Sequence, residues 1–279
     1  MCSKIALKLY GIIKQRIIKS NAQFWHDFFD KEIIDGFEID LERLEKELYE
    51  KGLDLICAFD DKFPRLNLKL NSSEKPFLFV YKGSIGLLSE IDNNTAVIGV
   101  LNPTEDIEFR EQRIVKTLVD RNLTIVSGLA KGCDTIAHKT CLKQNAKTIA
   151  ILPTTFDRIY PKENKSLVDE IVKNNGLVIT EYINEPQSKF DRIRRFIDRD
   201  RLQAMYSKAV ILVASFTQGN GDCGSRYAMQ RAKEYGRARY VMFDENTDNN
   251  RLIFGLNKIQ ILDGANIITG KIIKELIEK

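Results

Sequence analysis

Three stretches of the chain carry side chains that can hold a phosphate or stack on a base. The first is SGLAKG at 127–132. A β-prone run at 123–126 leads into it, and Asp134 stands where the N-cap of a following helix belongs. Ile136, Ala137, Thr140 and Cys141 follow at helical spacing. A glycine-bearing turn between a strand and a helix start aims free N–H groups and a positive dipole end at one point, which is an anion site and most often a phosphate site. Ser127, Gly128 and Gly132 shape this turn, and Lys131 adds a mobile positive charge that Asp134 partly opposes. The same glycines also suit a plain tight βα turn.

The second stretch, FDRIRRFIDRDR at 190–201, holds five arginines (Arg192, Arg194, Arg195, Arg199, Arg201) against three aspartates, with Phe190 and Phe196 interleaved. Aromatic faces for bases and guanidinium forks for phosphates suit single-stranded nucleic acid, with weak sequence preference because neither contact reads base edges. A solvated helix with internal Arg–Asp pairs is the competing account. The third stretch, TQGNGDCGS at 217–225, is another glycine-rich loop between strand and helix. There Gly221 and Gly224 allow close backbone approach, Ser225 suits a helix cap, and Arg226 follows in reach of a phosphate.

Other chemistry is poorly provided for. The five cysteines are scattered with no C-x-x-C, and only His26 and His138 accompany them, so neither a zinc site nor a disulfide framework is expected. No cofactor, metal or catalytic residue is assigned. His138 reads as a hydrogen-bonded structural histidine, and Cys223 has no partner base. A net charge of +4 is too small to announce nucleic-acid binding by itself, so any basic surface must come from local clustering. The longest purely apolar run, 209–214, is far too short for a membrane span, and the lysine-bearing N-terminus is no signal peptide. Reduced thiols and the missing signal lead to a cytoplasmic expectation.

The elements that must position these stretches follow from periodicity. Apolar stripes at 5–18, 24–29 and 37–48 predict three short helices, hence a small helical domain over 1–50. A Pro-punctuated connector occupies 51–92, extended at 53–58 and a strand at 77–81. From 93 to 279 strands at 96–100, 123–126, 148–152, 177–180, 209–214 and 239–243 alternate with helices near 105–121, 134–145, 163–174, 199–206 and 225–235. Continuous apolar strands in such alternation predict an α/β fold: a doubly wound, mostly parallel, Rossmann-like sheet with its ligand crevice at the carboxyl ends of the strands. The first and third chemical stretches sit at such ends, as do 101–106 and 153–157, and the second lies just before a strand whose end faces the same crevice.

The motifs SGLAKGCDTIAH (127–138), LPTTFDRIYPKENKSLVDEIVKNNGLVITEY (152–182), FIDRDRLQAMYSKAVILVAS (196–215) and CGSR (223–226) occur in this order. Together with LICAFDDKFPRLN (55–67) and KPFLFVYKG (75–83), they resemble the DprA/Smf DNA-processing proteins over about residues 53–268. The resemblance implies an extended Rossmann fold behind a small helical domain and a homodimer. It further implies a non-enzymatic protein that binds single-stranded DNA, protects incoming strands and loads a RecA-type recombinase in transformation. The family's optional C-terminal winged helix is not expected in this sequence, where 271–279 follows the region of resemblance. The nucleic-acid-binding residues expected are Ser127, Gly128, Lys131, Gly132, Arg194, Arg195, Phe196, Arg199, Arg201, Gly224, Ser225 and Arg226.

The chain departs from the family pattern at the crevice. Gly99-Val100-Leu101 replaces Gly-Ser-Arg, Asp200 replaces the asparagine of Arg-Asn-Arg, and Pro153-Thr154-Thr155 replaces a glycine-rich loop. These changes remove positive charge or alter the crevice floor, while Arg226 adds a new cation. The alternative function is a nucleotide sensor or a phosphoribohydrolase-like enzyme in the same crevice. The P-G-G-x-G-T-x-x-E signature of such hydrolases is absent, because the loop reads GNGDCGSR without the glutamate.

Overall fold

The computed structural model describes residues 2–64 and 69–271. Its first helices are α1 (Lys4–Lys14), α2 (Asn21–Gln23), α3 (Lys31–Asp35) and α4 (Leu41–Lys51). The Ser3 hydroxyl caps α1 by accepting from Ala6 N–H, Asp40 caps α4 in the same way, and Gly52 at φ 59 ends it. The stripe at 24–29 forms a single π turn, Phe24–Phe28, after α2 instead of a full helix. Phe24 is wholly buried there and stacks on Phe77 at 4.0 Å, so aromatic packing against the connector overrides helical continuation.

Among the described residues, one nine-stranded sheet organises the rest, in the order β1-β2-β6-β5-β4-β3-β7-β8-β9. The strands are β1 (Asp54–Cys57), β2 (Leu78–Gly83), β3 (Asn94–Ile98), β4 (Thr124–Ser127), β5 (Thr148–Ile151), β6 (Leu177–Thr180), β7 (Ala209–Leu212), β8 (Ala238–Val241) and β9 (Asn266–Ile267). β2 pairs antiparallel with both β1 and β6, and all other neighbours are parallel. The connector therefore adds two strands to the sheet edge. Helices α5 (Glu105–Val119), α6 (Cys133–Lys143), α7 (Lys165–Lys173), α8 (Lys189–Met205), α9 (Arg226–Glu234) and α10 (Gly255–Leu262) form the crossovers.

Two core layers sandwich the sheet. On one face α1, α4 and α8 share a continuous cluster that includes Leu9, Leu48, Phe79, Ile149, Leu202 and Met205. On the other, α5 and α6 bury Ile107, Leu118, Ala137 and Cys141, joined by Phe254 from just ahead of α10. The chain leaves β3 through β4, β5 and β6 on one side, then returns to β7 on the other. The direction of winding thus reverses between β3 and β7, which is where an open α/β sheet leaves a crevice.

Helix α8 is the main departure from the expected elements. The sequence predicts a helix near 199–206, whereas α8 begins ten residues earlier, with Ser188 capping Asp191 N–H. Arg195 pairs with Asp191 and Arg194 with Asp198, both at i,i+4, and these pairs support the first turns. The N-terminal part of this helix carries no buried apolar stripe, because there the buried positions are Arg195 and Arg199, with Leu202, Ala204 and Met205 entering the core only in the last turn.

Candidate nucleic-acid interface

The β4–α6 turn is built from strained and braced backbone. Leu129 is held at φ 61 and Gly132 at φ 68. The Asn164 amide clamps the turn, donating to Leu129 O at 2.9 Å and to the Thr135 hydroxyl at 2.7 Å. Helix α6 is capped by Gly132, not by Asp134. Asp134 instead reaches back: Gly128 N–H and Ala130 N–H donate to its Oδ2 at 3.1 and 3.2 Å. The expected phosphate nest is therefore filled by the chain's own carboxylate. Ser127 is fully buried and its hydroxyl donates to Val97 O at 2.7 Å, so its side chain faces the core and not a ligand.

The arginines of α8 divide into inward and outward sets. Arg199 lies against Gly128, so close that a Cβ added there would fall 1.0 Å from its Nη1. It sits 3.7 Å from Asp134 and 3.3 Å from Asp200. Arg201 pairs with Glu181 at 2.8 Å and donates from Nε to Glu74 O at 2.9 Å. Arg195 lies 4.5 Å over the Tyr182 ring and donates to Asn184 O at 2.6 Å. All three are buried. In this conformation they join helix to sheet and connector, and they present no guanidinium to the outside.

What does face outward is a rim of different composition. Arg194 is exposed, and among the described residues it is held by the surface pair with Asp198. Lys131 is exposed and meets Glu163 at 3.2 Å. Phe196 is half-buried and packs edge-to-face on Tyr160 at 6.0 Å. Tyr160 itself is 58% exposed. Because Asn164 ties this 160–164 segment to the turn that carries Lys131, Lys131 and the two rings belong to one surface, with Arg194 exposed on the same helix as Phe196. Sequence reasoning missed Tyr160. The signal was there, an aromatic directly after a strand-end loop, but nothing local indicates that it meets Phe196.

The second glycine loop closes the other side of the crevice. Leu101 N–H donates to Asp222 Oδ2 at 2.9 Å, and the Ser225 hydroxyl donates to Gly99 O at 3.2 Å instead of capping α9. Gly224 is exposed, its nearest neighbour for an added Cβ being Asp222 at 3.7 Å. Arg226 is turned onto its own loop, its Nη1 2.6 Å from Cys223 Sγ and its Nη2 donating to Tyr227 at 2.7 Å. Leu101, at the end of Gly99-Val100-Leu101, stands 44% exposed.

Asp200 is a strongly perturbed carboxyl in the crevice. Burial, with the like charges of Asp134 and Asp222, outweighs Arg199 and pushes its carboxyl up to about 7. Beneath the turn, burial raises Glu111 well above the usual carboxylate range and raises the thiols of Cys133 and Cys141. His138 is fully buried, its Nδ1 2.8 Å from the Thr148 hydroxyl, and burial with the nearby Arg199 lowers it to about 3. Among the described residues no cluster of three or more His, Cys, Asp or Glu is arranged to hold a metal. No described helix is long and apolar enough to cross a membrane.

Comparison with known proteins gives this arrangement its family. The family model of DNA recombination-mediator protein A matches residues 54–278. The chain is 32% identical over 234 residues to DNA processing protein DprA of Streptococcus pneumoniae, covering 84% of this chain and 76% of that protein. Across the first two curated relatives it spans 50% and 76% of their length. The X-ray structure of S. pneumoniae DprA superposes with a TM-score of 0.69 at 27% identity, covering 96% of this chain and 91% of that one. A DNA processing protein A from Helicobacter pylori shares the fold, with a TM-score of 0.65 at 24% identity over 81% of this chain and 96% of that one. The chain belongs to the DNA recombination-mediator protein A family, the DprA/Smf DNA-processing proteins.

Proposed function

We propose that this chain binds single-stranded DNA along the rim formed by Lys131, Tyr160, Arg194 and Phe196. The observation that carries the reading is a ring pair, Tyr160 exposed and Phe196 half-buried, near exposed cations: rings stack on bases of any sequence, and cations follow the phosphates. The related H. pylori protein is described by its single-stranded DNA binding mode, which supports the same reading here. Occupation of the turn's N–H groups by Asp134 counts against a free-nucleotide sensor, because the natural seat of a terminal phosphate is already filled. The reading is non-catalytic. The histidine nearest the crevice is buried and the buried thiols are held protonated, which supports binding over nucleophilic chemistry. In the cell the chain would act in the cytoplasm as a homodimer, protecting incoming strands and delivering them to a RecA-type recombinase.

The test is fluorescence polarisation of labelled oligo-dT against matching duplex across a salt series. Preferential, salt-sensitive binding of the single strand is expected. Tyr160→Ala and Phe196→Ala should each weaken binding by roughly five- to hundredfold, the loss of about 1–3 kcal/mol of stacking. Lys131→Ala should instead reduce the salt slope by about one. Equal affinity for duplex, or indifference to both ring substitutions, would sink the assignment of this rim.

A further inference from the structure

Asp200 is a carboxyl that the binding rim does not use, placed where it can govern the crevice. It is 9% exposed, and among the described residues no hydrogen bond ends on it. Its one ionic contact is Arg199 Nε at 3.3 Å, and that buried Nε has no hydrogen-bond acceptor. The other charged groups acting on Asp200 are both acidic, Asp134 from α6 and Asp222 from the β7–α9 loop. The pair is therefore poorly compensated: one guanidinium serves two carboxylates, and a third lies beside them. Of the neighbouring titratable groups, His138 near Arg199 stays neutral throughout the range of interest, and Glu111, which faces Asp134 from α5, is common to any variant at position 200.

Resting on the single-strand reading above, we propose that Asp200 is a proton-operated control on strand binding. In its charged form it holds Arg199 inward against Gly128 and adds a negative charge to the crevice that phosphates must approach. In its neutral form it releases part of that hold, and the crevice becomes more positive by one charge. Affinity for single strands then rises as pH falls from 8 to 6, over the range in which this buried carboxyl takes up its proton. Stability moves in the same direction. The folded state holds the proton more tightly than the unfolded chain, whose aspartates titrate near about 4, so stability declines as pH rises from about 4 to about 7 and is level beyond.

The experiment compares wild type with Asp200→Asn, and with Asp200→Ser as a second neutral variant, at pH 6, 7 and 8 and constant ionic strength. Oligo-dT binding is read by polarisation, and thermal unfolding is followed without DNA. Wild type should bind roughly three- to tenfold tighter at pH 6 than at pH 8, beyond any change in the variants. The variants at pH 8 should match wild type at pH 6, and their melting profiles should lose the decline shown by wild type. Parallel pH profiles in proteins that all bind would overturn the proposal and leave the single-strand reading intact. No binding by any of them at any pH would overturn both.

Discussion

Arg201→Gln is expected to lower stability by about 3–5 kcal/mol, the usual consequence of leaving one member of a buried ion pair without its partner. In a chain of this size that is on the order of 10 °C in melting temperature. The cause is specific. Arg201 and Glu181 are both nearly enclosed and 2.8 Å apart, and Glu181 also accepts from the Asn21 amide at 3.2 Å. Removing the guanidinium strands a carboxylate among α8, the end of β6 and the N-terminal helices. The double change Glu181→Gln with Arg201→Met should cost much less than Arg201→Gln alone, because it leaves no buried charge. Thermal unfolding decides the stability claim. Oligo-dT binding, measured at a temperature where every variant is folded, should be unchanged. A large loss of affinity with an unmoved melting temperature would return Arg201 to the DNA-contacting set.

Gly132→Ala should be at least as damaging, and for a backbone reason. Gly132 sits at φ 68 and ψ −126, a region open only to glycine, and it caps α6. A Cβ there would lie 2.4 Å from the carbonyl oxygens of both Val100 and Leu101. These are main-chain atoms following β3, and Cys133 N–H already donates to Val100 O at 3.1 Å, so they have no room to retreat. The expected loss is about 3–5 kcal/mol, with strand binding weakened through displacement of Lys131. Gly224→Ala is the control: its Cβ meets nothing closer than 3.7 Å, and its melting temperature should move little. Equal behaviour of the two variants would show that the turn tolerates rearrangement.

The α/β alternation was legible because its signal is local. β3 to β7 are mostly apolar and buried on both faces, and glycines follow β3, β4 and β7 at the strand ends. The motif series carried the family for the same reason, since each motif is a short contiguous string. The start of α8 was not legible. Periodicity looks for an apolar stripe, and this helix buries Arg195, Arg199 and Arg201 on carboxylates, carbonyls and a tyrosine ring that lie elsewhere in the chain.

The same division runs through the candidate site. Composition and spacing by themselves determined which residue types gather near the carboxyl ends of the strands: arginines, phenylalanines, a lysine and two glycine turns. They also determined the sheet that brings those ends together. Only the tertiary structure decided which of these groups are available. It turned Asp134 back into its own turn and drew Arg195, Arg199 and Arg201 inward. It left Arg194, Lys131 and Phe196 at the surface, with Tyr160 added beside them. The reason is physical: a side chain's type is fixed by its own codon, but its exposure depends on partners distant in sequence. A buried arginine and a DNA-facing one are spelled alike.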